Sequence, residues 1–263
     1  MKRTIALLWA LILLFIPVSS FCDEPSPAFE TAREIANFME THYGITILIG
    51  PECVGATSSD IVLGDEPMGQ TPLQQLLKAK PYDREIRMID DAFSIYPPGF
   101  FDHFRCGEAP NGLRILLADQ VIYDGTTVAG VTTDVDGYYN IFLGVGAIAK
   151  LNIHHELWHA AEFRILYDNP HAFDGWAEMN PEGFEYLEDY GALNAFTGLE
   201  DAGNHFARRY GTISEMEDRA TVIEALFQKD EAWWDAHPVI REKYNRMTEA
   251  ALPIFGEIYS GGE

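Results

Sequence analysis

The chain has 263 residues, 47% of them hydrophobic and 22% charged, and a formal net charge of −23 at pH 7. A surplus of that sign and size excludes nucleic acid and anionic membrane as partners, because both select basic patches. The acidity reads as solubility in an extracellular medium.

Met1-Lys2-Arg3 leads into the apolar run Ile5–Val18 and then Ser19 and Ser20. A basic start, an apolar stretch and small residues predict a signal peptide over residues 1–21, cleaved near 20–22. The run is short for a spanning helix, which needs about 20 residues, and Pro17 interrupts its end. A lipid anchor at Cys22 is the alternative, although Phe21 stands where a lipoprotein signal takes a small residue. The expected location is therefore secreted, extracellular or at the cell surface, and the expected state is a monomer. The chain beyond the signal is long enough for a single domain over 27–260. With export, Cys53 and Cys106 are expected to form one disulfide.

Pro27 to Gly44 places Ile35, Phe38 and Met39 at helical spacing and ends on a glycine cap. Ile45 to Gly50 reads as a short buried strand. Residues 71–83 and 84–101 read as two helical stretches, the second stopped by Pro97-Pro98-Gly99. Residues 113–123 and 127–144 carry the alternation of strands, with turns at Asp124-Gly125 and Asp136-Gly137. Asp134-x-Asp136-Gly137 begins like a calcium loop. No glutamate holds the twelfth position and strands flank it, so a hairpin turn is expected. From Gly146 onward helices take over, which makes the chain α+β.

The stretch "LNIHHELWHAAEF", residues 151–163, contains His155-Glu156-Leu157-Trp158-His159, an HExxH sequence. Residues four apart share one helix face, so both imidazoles can address one ion while Glu156 stands beside the first. Two histidines and a carboxylate with a position open to water form a catalytic zinc arrangement. The competing reading is a helix whose histidines are solvated or bonded to backbone. His154 points about 100° away from His155 and is expected in the core. A metzincin would have Gly at 162 and His at 165, where this chain has Glu162 and Ile165, so that class is excluded. A separate element must supply the third ligand. Tyr210 to Phe227 is the best source, with Glu215, Glu217, Asp218 and Glu224 available. Acids there also complement a helix N-terminus, which competes with the ligand reading.

The segments "HHELWHAAEF", "WAEMNPEGFEY" (176–186), "YGTISEMEDRA" and "YPPGFF" resemble zinc metallopeptidases of the gluzincin clan. Small secreted bacterial gluzincins belong there and, more distantly, the catalytic domain of anthrax lethal factor. The resemblance covers most of the chain from about residue 27. It implies a zincin-like fold: an N-terminal helix/strand lobe with a small mixed sheet, an active-site helix, and a mostly helical C-terminal lobe. It also implies a Zn²⁺ cofactor and a peptide or protein substrate. The third ligand falls on Glu217, which opens "EDRA", and a helper tyrosine on Tyr210. The chain departs from the pattern at Thr221, where relatives often carry a second acid, and this leaves Glu215 or Glu224 as alternative ligands. On this reading His155, His159 and Glu217 hold zinc and Glu156 is the general base. Two rivals are a catalytically silent zinc-binding surface protein and a non-enzymatic glycan or adhesion module built on Trp176, Trp233 and Trp234. Helical spacing places those tryptophans in a core more readily than on a platform.

Overall fold

The computed structural model describes residues 31–53, 55–56, 61–64, 82–188 and 203–256. The expected signal peptide, Cys22 and most of the helical stretch at 71–83 lie outside the described residues. Among the described residues no helix is long and apolar enough to cross a membrane.

Helix α1 (Ala32–Tyr43) starts where Thr31 and Glu34 form a reciprocal capping box and stops at Gly44, whose φ of 70° suits glycine. Strand β1 (Thr46–Ile49) is next. Strand β2 (Ile61–Gly64) is separate from it, and helix α2 (Asp83–Phe93) comes after. The prolines at 97 and 98 do not end α2. It closes at Ser94, whose amide bonds to the Asp90 carbonyl, and the chain then turns at Tyr96. "YPPGFF" leads instead into a 3₁₀ turn, Phe100–Phe104, which buries Phe100, Phe101 and Phe104.

Strands β3 (Leu113–Ala118), β4 (Gln120–Tyr123), β5 (Thr126–Val128), β6 (Gly130–Thr133) and β7 (Tyr139–Gly144) form the middle of the chain. Both predicted turns are hairpin turns. Asp124-Gly125 and Asp136-Gly137 have φ pairs of 47° and 71°, and 58° and 73°, as a primed turn requires. One sheet has the order β1-β3-β7-β6, parallel except for β6, and a second antiparallel sheet has the order β2-β4-β5. The mixed sheet matches the expected α+β class.

Side chains alternate across the mixed sheet. Ile115, Leu117, Ile141 and Leu143 enter the main core with the helices, while Leu116 and Phe142 enter a smaller core with Val121 and Ile61. This division overturns the expected disulfide. Cys53 lies in the smaller core and Cys106 packs against the main one, so the sheet separates them, and both are free thiols. Burial, with Glu52 adding to it, pushes the Cys53 thiol up to about 12, which leaves it a core residue and not a nucleophile.

Helix α3 (Lys150–Asp168) leaves the end of β7, with Asn152 accepting from the Ala149 amide at 2.8 Å. After a 3₁₀ turn at Trp176–Met179 and another at Arg209–Thr212 come α4 (Glu215–Gln228), α5 (Glu231–Ala236) and α6 (Pro238–Phe255). Trp176 and Trp234 are buried, and Trp233 packs on Trp234 and His237, so these rings belong to the packing of the helices.

Candidate metal centre

Helices α3 and α4 pack against each other and carry the candidate residues toward one point. His155 and His159, one turn apart on α3, are both buried. Glu217 comes from the first turn of α4, whose start is set by Ser214: its hydroxyl accepts from the Glu217 amide at 3.2 Å. The cap that begins the helix thereby fixes the ligand candidate itself.

His155 Nε2 and His159 Nε2 are 3.1 Å apart, and Glu217 Oε2 is 3.0 Å from the first and 3.6 Å from the second. Among the described residues this is the one group of three or more potential ligands that could hold a metal. Lone pairs aimed at one another in a buried place require a cation between them, a proton or a metal. Zinc–nitrogen bonds of about 2.05 Å set tetrahedral ligand–ligand edges of about 3.3 Å, so the donor spacing fits such an ion.

The charges reflect the same convergence. Burial opposes protonation of His155, yet the Glu217 and Glu224 carboxylates outweigh it and raise its pKa to about 10. Burial also favours neutral Glu217, but hydrogen bonds from His155 and His159 hold it well below the usual carboxylate range. Metal-free, the cluster is a proton-bridged ion pair.

The alternative ligands stand elsewhere. Glu215 pairs with Arg219 at 3.3 Å and is half exposed. Glu224 approaches the other side of His155, its Oε1 lying 2.8 Å from Nδ1, and also meets Arg208. Seven residues separate Glu217 and Glu224, two helical turns, so one face of α4 presents both acids to His155. Thr221, four residues after Glu217, is engaged within the protein. Its hydroxyl bonds to the Asp218 carbonyl at 2.9 Å, and a Cβ on Gly211 would lie 2.7 Å from it. The turn carrying Tyr210 sits directly on Thr221. Tyr210 itself comes to the cluster, with its ring centroid 5.9 Å from that of His155.

Glu156 is buried beside the pair. Burial pushes its pKa up, against the pull of His155, His159 and a hydrogen bond from Thr132. His154 turns away as expected: its Nδ1 is 2.9 Å from the Tyr96 hydroxyl and its ring stacks on Phe227 at 3.8 Å. Burial, with Lys150 adding to it, pushes its pKa down to about 4, so it is a neutral core residue.

Several groups around the site escaped the sequence reading. Thr132 and Gly130 come from β6, and Arg208 from the turn before α4. Beyond the cluster, Glu162 pairs with Arg219 at 2.7 Å and Asp218 with Lys243 at 2.6 Å, all four buried. Asp218 also accepts from Trp176 and Tyr186, both at 2.9 Å, and Asn180 accepts from Lys243 at 2.7 Å. The segment "WAEMNPEGFEY" thus straps this pair in place. A buried lysine on a late amphipathic helix leaves no signal that names its partner.

No protein-family model matches the chain. No curated protein matches it either. A crystal structure of a "putative zinc-binding metallo-peptidase" from Bacteroides caccae is similar with a TM-score of 0.48 and 15% identity, covering 86% of this chain and 87% of that one.

Proposed function

We propose that the protein is an exported zinc-dependent peptidase of gluzincin type with a zincin-like fold. The observation that carries this is the convergence of two imidazole nitrogens and a carboxylate oxygen within 3.0 to 3.6 Å of one another, beside a buried glutamate that Thr132 holds. His155, His159 and Glu217 would hold the ion. Zinc, when bound, supplies a Lewis acid that acidifies water and polarises a carbonyl.

The chain's own residues do the rest. Glu156 accepts the proton of the attacking water on its carboxylate and delivers it to the leaving amine. Burial raises the proton affinity of this carboxylate, the direction that favours a proton acceptor. The Glu224 carboxylate accepts a hydrogen bond from His155 Nδ1–H and so fixes the ring with Nε2 toward the ligand cluster. Tyr210 donates to the oxygen on which negative charge develops. Strand β6 is hydrogen-bonded to β7 on one side only among the described residues. An extended peptide can add to such an edge, which suits a peptide or protein substrate. Residues 1–21 direct the chain out of the cell, where it acts as a monomer.

The test is Glu156→Gln with metal analysis by mass spectrometry and turnover on a mixed peptide library. The expected variant keeps about the wild-type zinc and loses turnover by about 10²- to 10⁴-fold, the usual worth of a general base. Cleavage that survives the change would overturn the role of Glu156. Zinc without turnover in the wild type would favour the catalytically silent binder.

A further inference from the structure

Strand β6 faces the start of α3 through alternate residues, Gly130 and Thr132. Thr132 Oγ1 lies 2.7 Å from Glu156 Oε2 and 3.1 Å from the Glu156 carbonyl oxygen. Its single proton goes to the carboxylate, the shorter and charge-assisted of the two contacts. Gly130 meets the same side chain. A Cβ built there would lie 2.7 Å from Glu156 Oε1, 2.8 Å from Cγ and 3.0 Å from Cδ, and these are its nearest neighbours. The Gly130 backbone has no left-handed φ that would call for glycine. What the position excludes is a side chain where Glu156 stands.

Both residues are held rigidly. Gly130 and Thr132 pair with Leu143 and Ile141 of β7, an inner strand that is buried along its whole length. A group fixed by a sheet ladder places its neighbour more tightly than one carried on a loop.

We infer that β6 positions the proton-transferring carboxylate: Thr132 ties down Glu156 by hydrogen bond, and Gly130 keeps free the space it occupies. Both are positioning residues. The inference rests on Glu156 as general base, and it adds the pair of strand residues that aim it. A shift of the base by about 1 Å costs on the order of a hundredfold in rate, so loss of either residue acts on turnover and not on substrate binding.

The experiment compares zinc-loaded wild type with Thr132→Val, Thr132→Ser and Gly130→Ala, by crystal structure and by kinetics. Thr132→Val keeps shape and removes the hydroxyl. It is expected to lower kcat by about tenfold to a hundredfold, leaving KM within about twofold and zinc content unchanged. Thr132→Ser is expected to restore most of kcat. Gly130→Ala is expected to lower kcat in the same way, and in both impaired variants the Glu156 carboxylate leaves its place against β6. An unmoved Glu156 in Thr132→Val, or a serine variant as slow as the valine one, would overturn the inference. The crystallographic arm reads the placement of Glu156 whether or not peptide is cleaved. Failure of the peptidase reading would appear separately, as wild type without turnover or as turnover that survives Glu156→Gln.

Discussion

Glu217 and Asp218 stand side by side in the first turn of α4, both buried, and their surroundings differ in kind. Asp218 meets Lys243 at 2.6 Å and takes further hydrogen bonds from Trp176 and Tyr186. Its charge is balanced within the protein, and the cluster is closed. Glu217 meets two histidine nitrogens that also face each other at 3.1 Å. That group is balanced only if a proton or a metal joins it. Successive helix positions are about 100° apart, which is enough to set one acid against a lysine and its neighbour against two histidines. Burial of a carboxylate therefore says little about function, whereas the identity of the cation that balances it says a great deal.

Removing each acid in turn is expected to have opposite consequences. Glu217→Ala is expected to weaken zinc on the order of 10³-fold or more and to bring turnover to background while the fold persists. Metal content and circular dichroism check both halves. Asp218→Asn strands the Lys243 charge and is expected to cost about 3–5 kcal/mol of stability in urea unfolding, with zinc retained by the folded protein. If Asp218→Asn lost zinc while still folded, the two clusters would be one.

A smaller effect is expected at Glu224, which stands behind His155. Glu224→Gln keeps the shape but not the charge behind His155, and is expected to weaken zinc about 10- to 100-fold. Competition against a chelator measures it.

Proton linkage gives a further test on metal-free protein. His155 is raised to about 10, so its contribution to stability is full below the ordinary histidine value of about 6.5 and disappears as pH rises through about 10. Glu217 is depressed, so its contribution is present above the ordinary glutamate range and is lost as pH falls below it. Metal-free protein is thus expected to lose stability from this pair between about pH 6.5 and 10, while zinc affinity rises over the same span because the metal displaces the His155 proton. Unfolding of metal-free protein at several pH values, with calorimetry in buffers of different ionisation enthalpy, checks both slopes. The smallest effect is the absence of one. With Cys53 and Cys106 on opposite sides of the mixed sheet, a reducing agent is expected to leave Tm unchanged.

Much of the site was legible because its logic is local. His155 and His159 are four residues apart, so helix geometry alone puts them on one face. Asp124-Gly125 and Asp136-Gly137 specify primed turns through their own backbone preferences. The end of the first helix is likewise marked by Gly44, whereas its start at Thr31 and Glu34 appears only in the fold. Less was legible where partners lie far apart along the chain. The disulfide expectation rested on export and a count of cysteines, and failed because neither reveals on which side of a sheet a residue falls. Thr132 carried no signal at all: a threonine in an edge strand reads only as β-propensity until the strand is seen beside α3.

The α+β class, the two-histidine face with its intervening acid, and the hairpin turns could all be read from the sequence, since each depends on periodicity or on backbone preference over a few residues. The family resemblance pointed to Glu217, but its meeting with the histidines, the place of Glu224 behind His155 and the contact of β6 with Glu156 are visible only in the packed fold. These contacts turn on helix rotation and sheet register, and both are set by packing across the whole core and not by any one segment of the chain.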